Sequence, residues 1–278
     1  MSSLPEPSTP DGAAGLAAIL AEPARALVAM DYDGTLAPIV ESPRAAYPEP
    51  GALTSLARLA AVVGVVVIVT GRPVDDVLNL SGLSEAADLQ RLVILGQYGL
   101  ERYELATGER RTPAPLPGVA VARERLPALL AAAGVPAEAV EDKGHALAVH
   151  TRGLPDPAGT LQRLRKPLVA LAHSTGLTAT PGRFVIELRP SGVDKGAALT
   201  ELVRQHDAKA VLFAGDDVGD LPAYDTVAAL RTTGVAGVTI CSDSAEVGVL
   251  RERADLVVAG PAGVVALLEA LAAAIGTG

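Results

Sequence analysis

The sequence predicts an α/β protein: a Rossmann-like core on a parallel sheet, interrupted by a smaller inserted α+β domain. Two observations predict the core. Apolar, β-branched runs without polar alternation end in Gly, Asp or Pro, as strands buried on both faces do. Stretches of helical spacing lie between them, and strands alternating with helices imply parallel pairing through right-handed crossovers. A third observation predicts the insertion, because the middle of the chain changes to a helix–hairpin–helix–hairpin order.

The elements follow in order. Met1–Gly12 is rich in Ser, Pro and acid and lacks the basic start of a signal peptide, so residues 1–24 are expected to be a flexible leader. The first part of the core, 25–112, has strands expected at Arg25–Met30, Val62–Val69 and Leu92–Leu95. Between the first two, Pro50–Ala61 carries Leu53, Leu56, Ala57 and Ala60 at helical spacing. Arg111–Gly118 is Pro-rich and reads as a linker. The inserted domain, 113–188, begins with a helix over Val119–Ala133 and strands at Ala139–Lys143 and Leu147–Thr151, turning at Gly144-His145. A second helix over Ala158–Thr175 precedes strands at Leu177–Thr180 and Phe184–Arg189, turning at Pro181-Gly182. The core resumes over 189–278 with a helix at Val193–Gln205 that Ser191 or Asp194 can cap. Strands at Ala210–Ala214, Val238–Cys241 and Asp255–Val258 and a last helix from Ala262 complete it.

Composition narrows the function. A chain of 278 residues is long enough for two domains, and 49% hydrophobic residues exclude disorder. Aromatics are 3% with no Trp, so the core rests on Ala, Val and Leu and offers few stacking platforms for nucleic acid. The net charge of −9 gives no field that draws a phosphate backbone. The one cysteine, Cys241, excludes an intramolecular disulfide and a Cys-based zinc site and fits a cytoplasmic setting. Ala13–Met30 is broken by Glu22, Pro23 and Arg25, and Val264–Ile275 is short and holds Glu269, so neither is expected to span a bilayer. The expectation is a monomer acting on a small molecule, without nucleic-acid or membrane partners.

Ligands of an open parallel sheet sit beyond the carboxyl ends of its strands. The polar residues placed there are Asp31 and Asp33, then Thr70, then Asp216, Asp217 and Asp220, with Lys195 at a helix start. A carboxylate can attack phosphorus and form an acyl phosphate, provided a cation offsets the repulsion between two anions. Oxygen ligands from Asp31-Tyr32-Asp33 and from Gly215–Asp220 favour Mg²⁺. Lys195 can neutralise remaining charge, and the Thr70 hydroxyl can hold a phosphoryl oxygen. Asp33 can serve as general acid for the leaving oxygen and as base for water. Each element alone has a plain structural reading: a Gly/Asp turn, a strand exit, a solvated lysine. Their order along the chain favours the chemical one.

These elements resemble the four motifs of the haloacid dehalogenase superfamily of phosphatases. From about Arg25 onward the chain resembles trehalose-6-phosphate phosphatases. The resemblance rests on Asp31-Tyr32-Asp33-Gly34-Thr35-Leu36-Ala37-Pro38-Ile39, Thr70-Gly71-Arg72-Pro73, Gly96-Gln97-Tyr98-Gly99-Leu100-Glu101, Glu141-Asp142-Lys143-Gly144, Val149-His150-Thr151-Arg152, Val185-Ile186-Glu187-Leu188-Arg189-Pro190 and Asp194-Lys195-Gly196. It implies Asp31 as nucleophile, Asp33 as acid and base, and Thr70 and Lys195 on the phosphoryl group. Asp31, the Asp33 carbonyl and Asp216 would hold Mg²⁺, with Asp217 and Asp220 supporting its waters. The inserted domain would be a mobile cap, with Glu141, Lys143 and Glu187 on the sugar hydroxyls and Arg152 directed to the phosphate. Arg72 joins the substrate residues, although Arg72 and Arg189 also read as structural ion-pair formers. The fourth motif departs from the family at Asp217-Val218-Gly219-Asp220-Leu221-Pro222, where Thr and Glu-Asp are usual. The motifs also leave open another sugar phosphatase, a hexose phosphomutase, or a sugar-phosphate-binding module without catalysis.

Overall fold

The elements form in the expected order. The computed structural model describes residues 4–40, 42–83, 89, 91–182, 184–243 and 248–276. The first part holds α1 (Pro10–Ala21), β1 (Ala26–Met30), α2 (Ala52–Val62), β2 (Val65–Val69), α3 (Val74–Ser81), β3 (Leu92–Gly96), β4 (Glu101–Glu104) and β5 (Arg110–Arg111). The middle holds α4 (Pro117–Ala132), β6 (Val140–Asp142), β7 (Leu147–His150), α5 (Pro157–Ser174), β8 (Leu177–Gly182) and β9 (Val185–Pro190). The last part holds α6 (Lys195–Gln205), β10 (Ala210–Gly215), α7 (Leu221–Thr232), β11 (Ala236–Ser242), α8 (Gly248–Arg253), β12 (Leu256–Val258) and α9 (Gly260–Gly276). Two compact units result, Met1–Arg111 with Asp194–Gly278, and Thr112–Val193.

The first unit is built on one sheet of order β12-β11-β10-β1-β2-β3-β4-β5, parallel from β12 to β3 and antiparallel at β4 and β5. Every residue of β1, β2, β3 and β10 is buried, which is why these strands read as unbroken apolar runs. Alternate side chains feed two cores. Val28, Met30, Val66 and Ile68 pack with Leu56, Leu59 and Leu268, whereas Leu27, Ala29, Val65 and Val67 pack with Leu199, Leu202 and Val227. Each of these Val, Leu, Ile and Met side chains contributes about 1.5–3 kcal/mol on full burial. The strand expected from Val62 starts at Val65, because α2 continues through Val62 and the Val63 amide closes it on Leu59 O.

Strand order reverses between β1 and β10, since the chain lays β2 and β3 on one side of β1 and β10, β11 and β12 on the other. The carboxyl ends there open a crevice in which this class of sheet binds ligands.

The expectation of a flexible leader over 1–24 does not hold for residues 10–21. Pro10–Ala21 form α1, capped by Thr9, whose hydroxyl accepts the Gly12 amide at 3.0 Å. Gly15 faces Gly237 of β11 so closely that a Cβ on it would lie 2.1 Å from the Gly237 carbonyl oxygen. Leu16 and Ile19 bury on the same face as Gly15, but Ala and Leu also cover the exposed side, so no polar face marks the helix in the sequence. Buried Asp255 fastens the segment: its carbonyl accepts from the Ser8 amide and hydroxyl, and its carboxylate accepts from Thr9.

The second unit is a four-stranded antiparallel sheet, β6-β7-β9-β8, with α4 and α5. Leu147, Val149, Ile186 and Leu188 turn to the helices and pack with Leu126, Leu130, Leu164 and Leu168. The other sheet face is polar, by the alternation a one-sided sheet requires. Among the described residues no helix is long and apolar enough to cross a membrane.

Candidate active site

Four adjacent parallel strands end in Asp31, Thr70, Gln97 and Asp216, each the residue that follows β1, β2, β3 and β10. The Asp31 amide is held by Ala214 O at 2.9 Å, and its Oδ1 accepts the Tyr32 amide at 2.7 Å. The chain then turns sharply: Leu36 and Ala37 amides return to Tyr32 O, and Gly34 adopts φ +71°. A Cβ at Gly34 would sit 2.0 Å from the Asp216 carboxylate, so glycine is required for the two loops to approach. Ser242, fully buried at the end of β11, donates to Gly34 O at 2.6 Å and holds the loop from the other side.

Lys195 enters at the first position of α6, whose N-cap Asp194 accepts the Ala197 amide. Its ammonium lies 2.8 Å from Asp31 Oδ2 and 2.7 Å from Asp220 Oδ1. Asp31, Asp216 and Asp220 are all buried, and each brings a carboxylate oxygen within 4.8 Å of the others. These three carboxylates around one ammonium leave two negative charges uncompensated when ionised. Burial first, and that excess second, raise the carboxyl pKa values. Burial drives Asp31 well above the usual carboxylate range, Lys195 opposes, and Asp220 and Asp33 add to the rise. Burial followed by Asp31 and Asp220 pushes Asp216 up to about 9. Burial works against the Lys195 charge, but Asp220 and Asp31 outweigh it and hold its pKa well above normal.

A dication fits this donor set on two grounds: all donors are oxygens, and its charge offsets the excess of carboxylates over the one ammonium. Asp31 and Asp216 provide two of them. Asp220 accepts the Asp216 amide at 2.9 Å, the Asp217 amide at 3.2 Å and the Lys195 ammonium, so its oxygens are largely engaged in holding the loop. Asp217 accepts the Gly219 amide at 2.7 Å. The departure in the fourth motif is thus absorbed: Gly219 gives close passage over Asp217, and Asp220 caps the turn reciprocally with it.

Asp33 is one-third exposed and is gripped by Arg72 through two bonds of 2.7 Å. Of its two sequence readings, Arg72 takes the ion-pair one here; it also stacks over Tyr32 at 5.7 Å. Thr70 is buried, and its oxygen accepts the Arg72 amide at 3.1 Å, leaving the hydroxyl proton to donate elsewhere.

In the second unit, cross-strand register sets Glu141, Ala148, Glu187 and Thr180 in one row on the face turned away from the helices. Lys143 shares that face and pairs with buried Glu187 at 2.9 Å. His150, two residues after Ala148, bonds Glu141 at 2.8 Å, and Arg189 donates to Thr180 at 3.0 Å. His150 and Thr180 are not among the site residues expected from the sequence; cross-strand pairing brings them to this face, which alternation within one strand does not reveal. Arg152 places its guanidinium 5.7 Å over the Phe184 ring.

A parallel sheet with an acidic cluster at its switch point and an inserted α+β unit defines a protein of the haloacid dehalogenase type. Solved structures share the fold. The C-terminal domain of Candida albicans trehalose-6-phosphate phosphatase matches with TM-score 0.77 and 21% identity, over 98% of this chain and 99% of that one. A haloacid dehalogenase-like hydrolase from Bacteroides thetaiotaomicron matches with TM-score 0.62 and 18% identity, over 87% and 98%. The trehalose-phosphatase family model matches residues 29–258, and the chain belongs to that family. Among curated relatives, the trehalose-phosphate phosphatase of Mycolicibacterium paratuberculosis is 35% identical over 244 residues, covering 82% of this chain and 57% of the relative. An uncharacterized glycosyl hydrolase of Mycobacterium tuberculosis is 35% identical over 223 residues, 76% of this chain but 16% of the larger protein. The chain therefore spans about half the length of the trehalose-phosphate phosphatases it matches, and far less of the glycosyl hydrolase.

Proposed function

We propose that the chain hydrolyses trehalose 6-phosphate to trehalose and inorganic phosphate with Mg²⁺ as cofactor, in the cytoplasm. The observation that carries the reading is the buried Asp31–Asp216–Asp220 cluster with Lys195 among its charges. Mg²⁺, held by Asp31, Asp216 and the Asp33 carbonyl and supported by Asp217 and Asp220, would supply charge neutralisation at the phosphoryl oxygens. Asp31 Oδ attacks phosphorus, the bond to the sugar oxygen breaks, and an aspartyl phosphate forms. Asp33 gives a proton to the departing oxygen, then takes one from the water that cleaves the acyl phosphate. The Thr70 hydroxyl and the Lys195 ammonium donate to phosphoryl oxygens, and Arg72 keeps the Asp33 carboxylate aimed.

The sugar assignment rests on family membership and on the polar face of the inserted sheet. Glu141, Lys143 and Glu187 offer acceptors and donors suited to hydroxyl groups, with Arg152 reserved for the phosphate. Lys143→Ala is expected to lower kcat/KM for trehalose 6-phosphate by about tenfold, the value of one charged hydrogen bond. It should spare a small aryl phosphate, and equal loss on both substrates would make Lys143 purely structural.

The overall reading is tested by phosphate release across a panel of sugar phosphates with Mg²⁺ and with EDTA. Release from trehalose 6-phosphate, abolished by EDTA, is expected. Preference for another sugar phosphate would overturn the substrate, and no release from any ester would overturn the activity.

A further inference from the structure

The turn after β3 locks onto the loop after β2. Gln97 and Tyr98 hold left-handed backbone, φ 48° and 62°. Such a conformation costs a non-glycine residue about 1–2 kcal/mol and persists only where its surroundings enforce it. Here the 70–74 loop does so: the Gln97 amide donates to Arg72 O and the Tyr98 amide to Thr70 O, both at 2.8 Å. Gly96 permits the approach, since a Cβ there would lie 2.8 Å from Val74 N and 2.9 Å from Arg72 O.

Glu101, the first residue of β4, spans both segments. Its Oε2 accepts the Val74 amide at 2.7 Å, and its Oε1 accepts Gln97 Nε2 at 2.7 Å. Val74 opens α3, and the preceding Pro73 supplies no side-chain cap, so Glu101 satisfies an amide the local sequence leaves open. The same turn reaches α6, where a Cβ on Gly99 would come 2.9 Å from Ala198 Cβ, one helical turn from Lys195.

We propose that Glu101 is a positioning residue: by bridging Gln97 and the first amide of α3, it fixes the loop from which Thr70 meets the phosphoryl group and Arg72 meets Asp33. The proposal rests on the phosphatase reading above. Glu101 acts through the loop, as its two carboxylate oxygens accept from Val74 and Gln97.

Two variants separate positioning from bulk stability. Buried Gln97 Oε1 has no hydrogen-bond partner among the described residues. In Glu101→Gln the Gln97 amide can turn over and accept from the new side-chain NH₂, whose carbonyl oxygen keeps the Val74 amide. Glu101→Ala loses both bonds. Turnover is measured on a small aryl phosphate with Mg²⁺, inorganic phosphate affinity by calorimetry, and amide exchange at Val74, Gln97 and Tyr98 by mass spectrometry or NMR. In Glu101→Ala, kcat is expected to fall about 10- to 100-fold, as misplacement near 1 Å produces, with weaker phosphate binding and faster exchange at those amides. Glu101→Gln should stay within about threefold of wild type on every readout. Turnover and phosphate affinity of Glu101→Ala within about twofold of wild type would overturn the proposal, even if its melting temperature dropped. Equal losses in both variants would overturn it too, because the bridge would then not be the operative feature. Absence of phosphate release from wild type would sink the activity reading separately, and phosphate affinity and exchange would still decide the positioning.

Discussion

Asp31→Asn is expected to end phosphate release, with a loss on the order of 10⁴-fold or more, as removal of a covalent nucleophile produces. The amide matches the carboxylate in shape, so the Tyr32 amide and the turn after β1 keep their places. Stability should move the other way. A carboxylate whose folded pKa lies above its unfolded value costs stability as pH rises past the unfolded value, and the cost grows until the folded pKa is reached. Burial, Asp220 and Asp33 place Asp31 in that class despite Lys195. At neutral pH in EDTA, Asp31→Asn should therefore melt at or above the wild-type temperature, and Mg²⁺ should raise its melting point less than that of wild type. Turnover within about tenfold of wild type would remove Asp31 from its assigned role. A fall in melting temperature beyond about 5 °C would show that the pair with Lys195 outweighs the crowding of carboxylates.

Lys195→Met should lose both turnover and stability. The methionine stem fills the space, but Asp31 and buried Asp220 are left facing each other without the ammonium that stands 2.8 and 2.7 Å from them. Removing one partner of a buried ion pair costs about 3–5 kcal/mol, because the remaining charge stays buried without compensation. Turnover should fall about 10²- to 10³-fold with the loss of a donor to the phosphoryl oxygens. Urea melts with and without Mg²⁺ measure the first effect and phosphate release the second. Mg²⁺ should restore part of the stability and none of the turnover. A stability change below about 1 kcal/mol would mean that the carboxylates protonate or rearrange at little cost, and that Lys195 is not what holds the cluster together. The two variants remove charges of opposite sign from one cluster, so opposite shifts in stability are the expected signature of an anion excess.

Legibility differs between elements for a physical reason. Strands β1, β2, β3 and β10 are readable because burial on both faces writes itself into consecutive residues. Once those ends are placed, Asp31, Thr70 and Asp216 follow as the residues just beyond them. Helix α1 is hard to read because Ala and Leu also occupy its exposed side, so its buried Gly15, Leu16 and Ile19 form no contrasting stripe. Helices α3 and α7 and the antiparallel strands β4 and β5 are not among the elements the sequence predicts, and β4, Glu101-Arg102-Tyr103-Glu104, carries more charge than a strand normally shows.

Residue identity along the chain settled the kind of chemistry on offer: acidic oxygens, one lysine and one hydroxyl at strand and helix ends, with a polar face on the inserted sheet. Which group faces which was settled by folding. Arg72 meets Asp33 across 39 residues, Lys195 meets Asp220 across 25, and Ser242 reaches Gly34 across 208. Burial patterns are local, because a side chain's face depends on its neighbours in the same strand. Charge pairing is not, because it depends on how closely separate backbones approach, and here that approach turns on single glycines at 34 and 96.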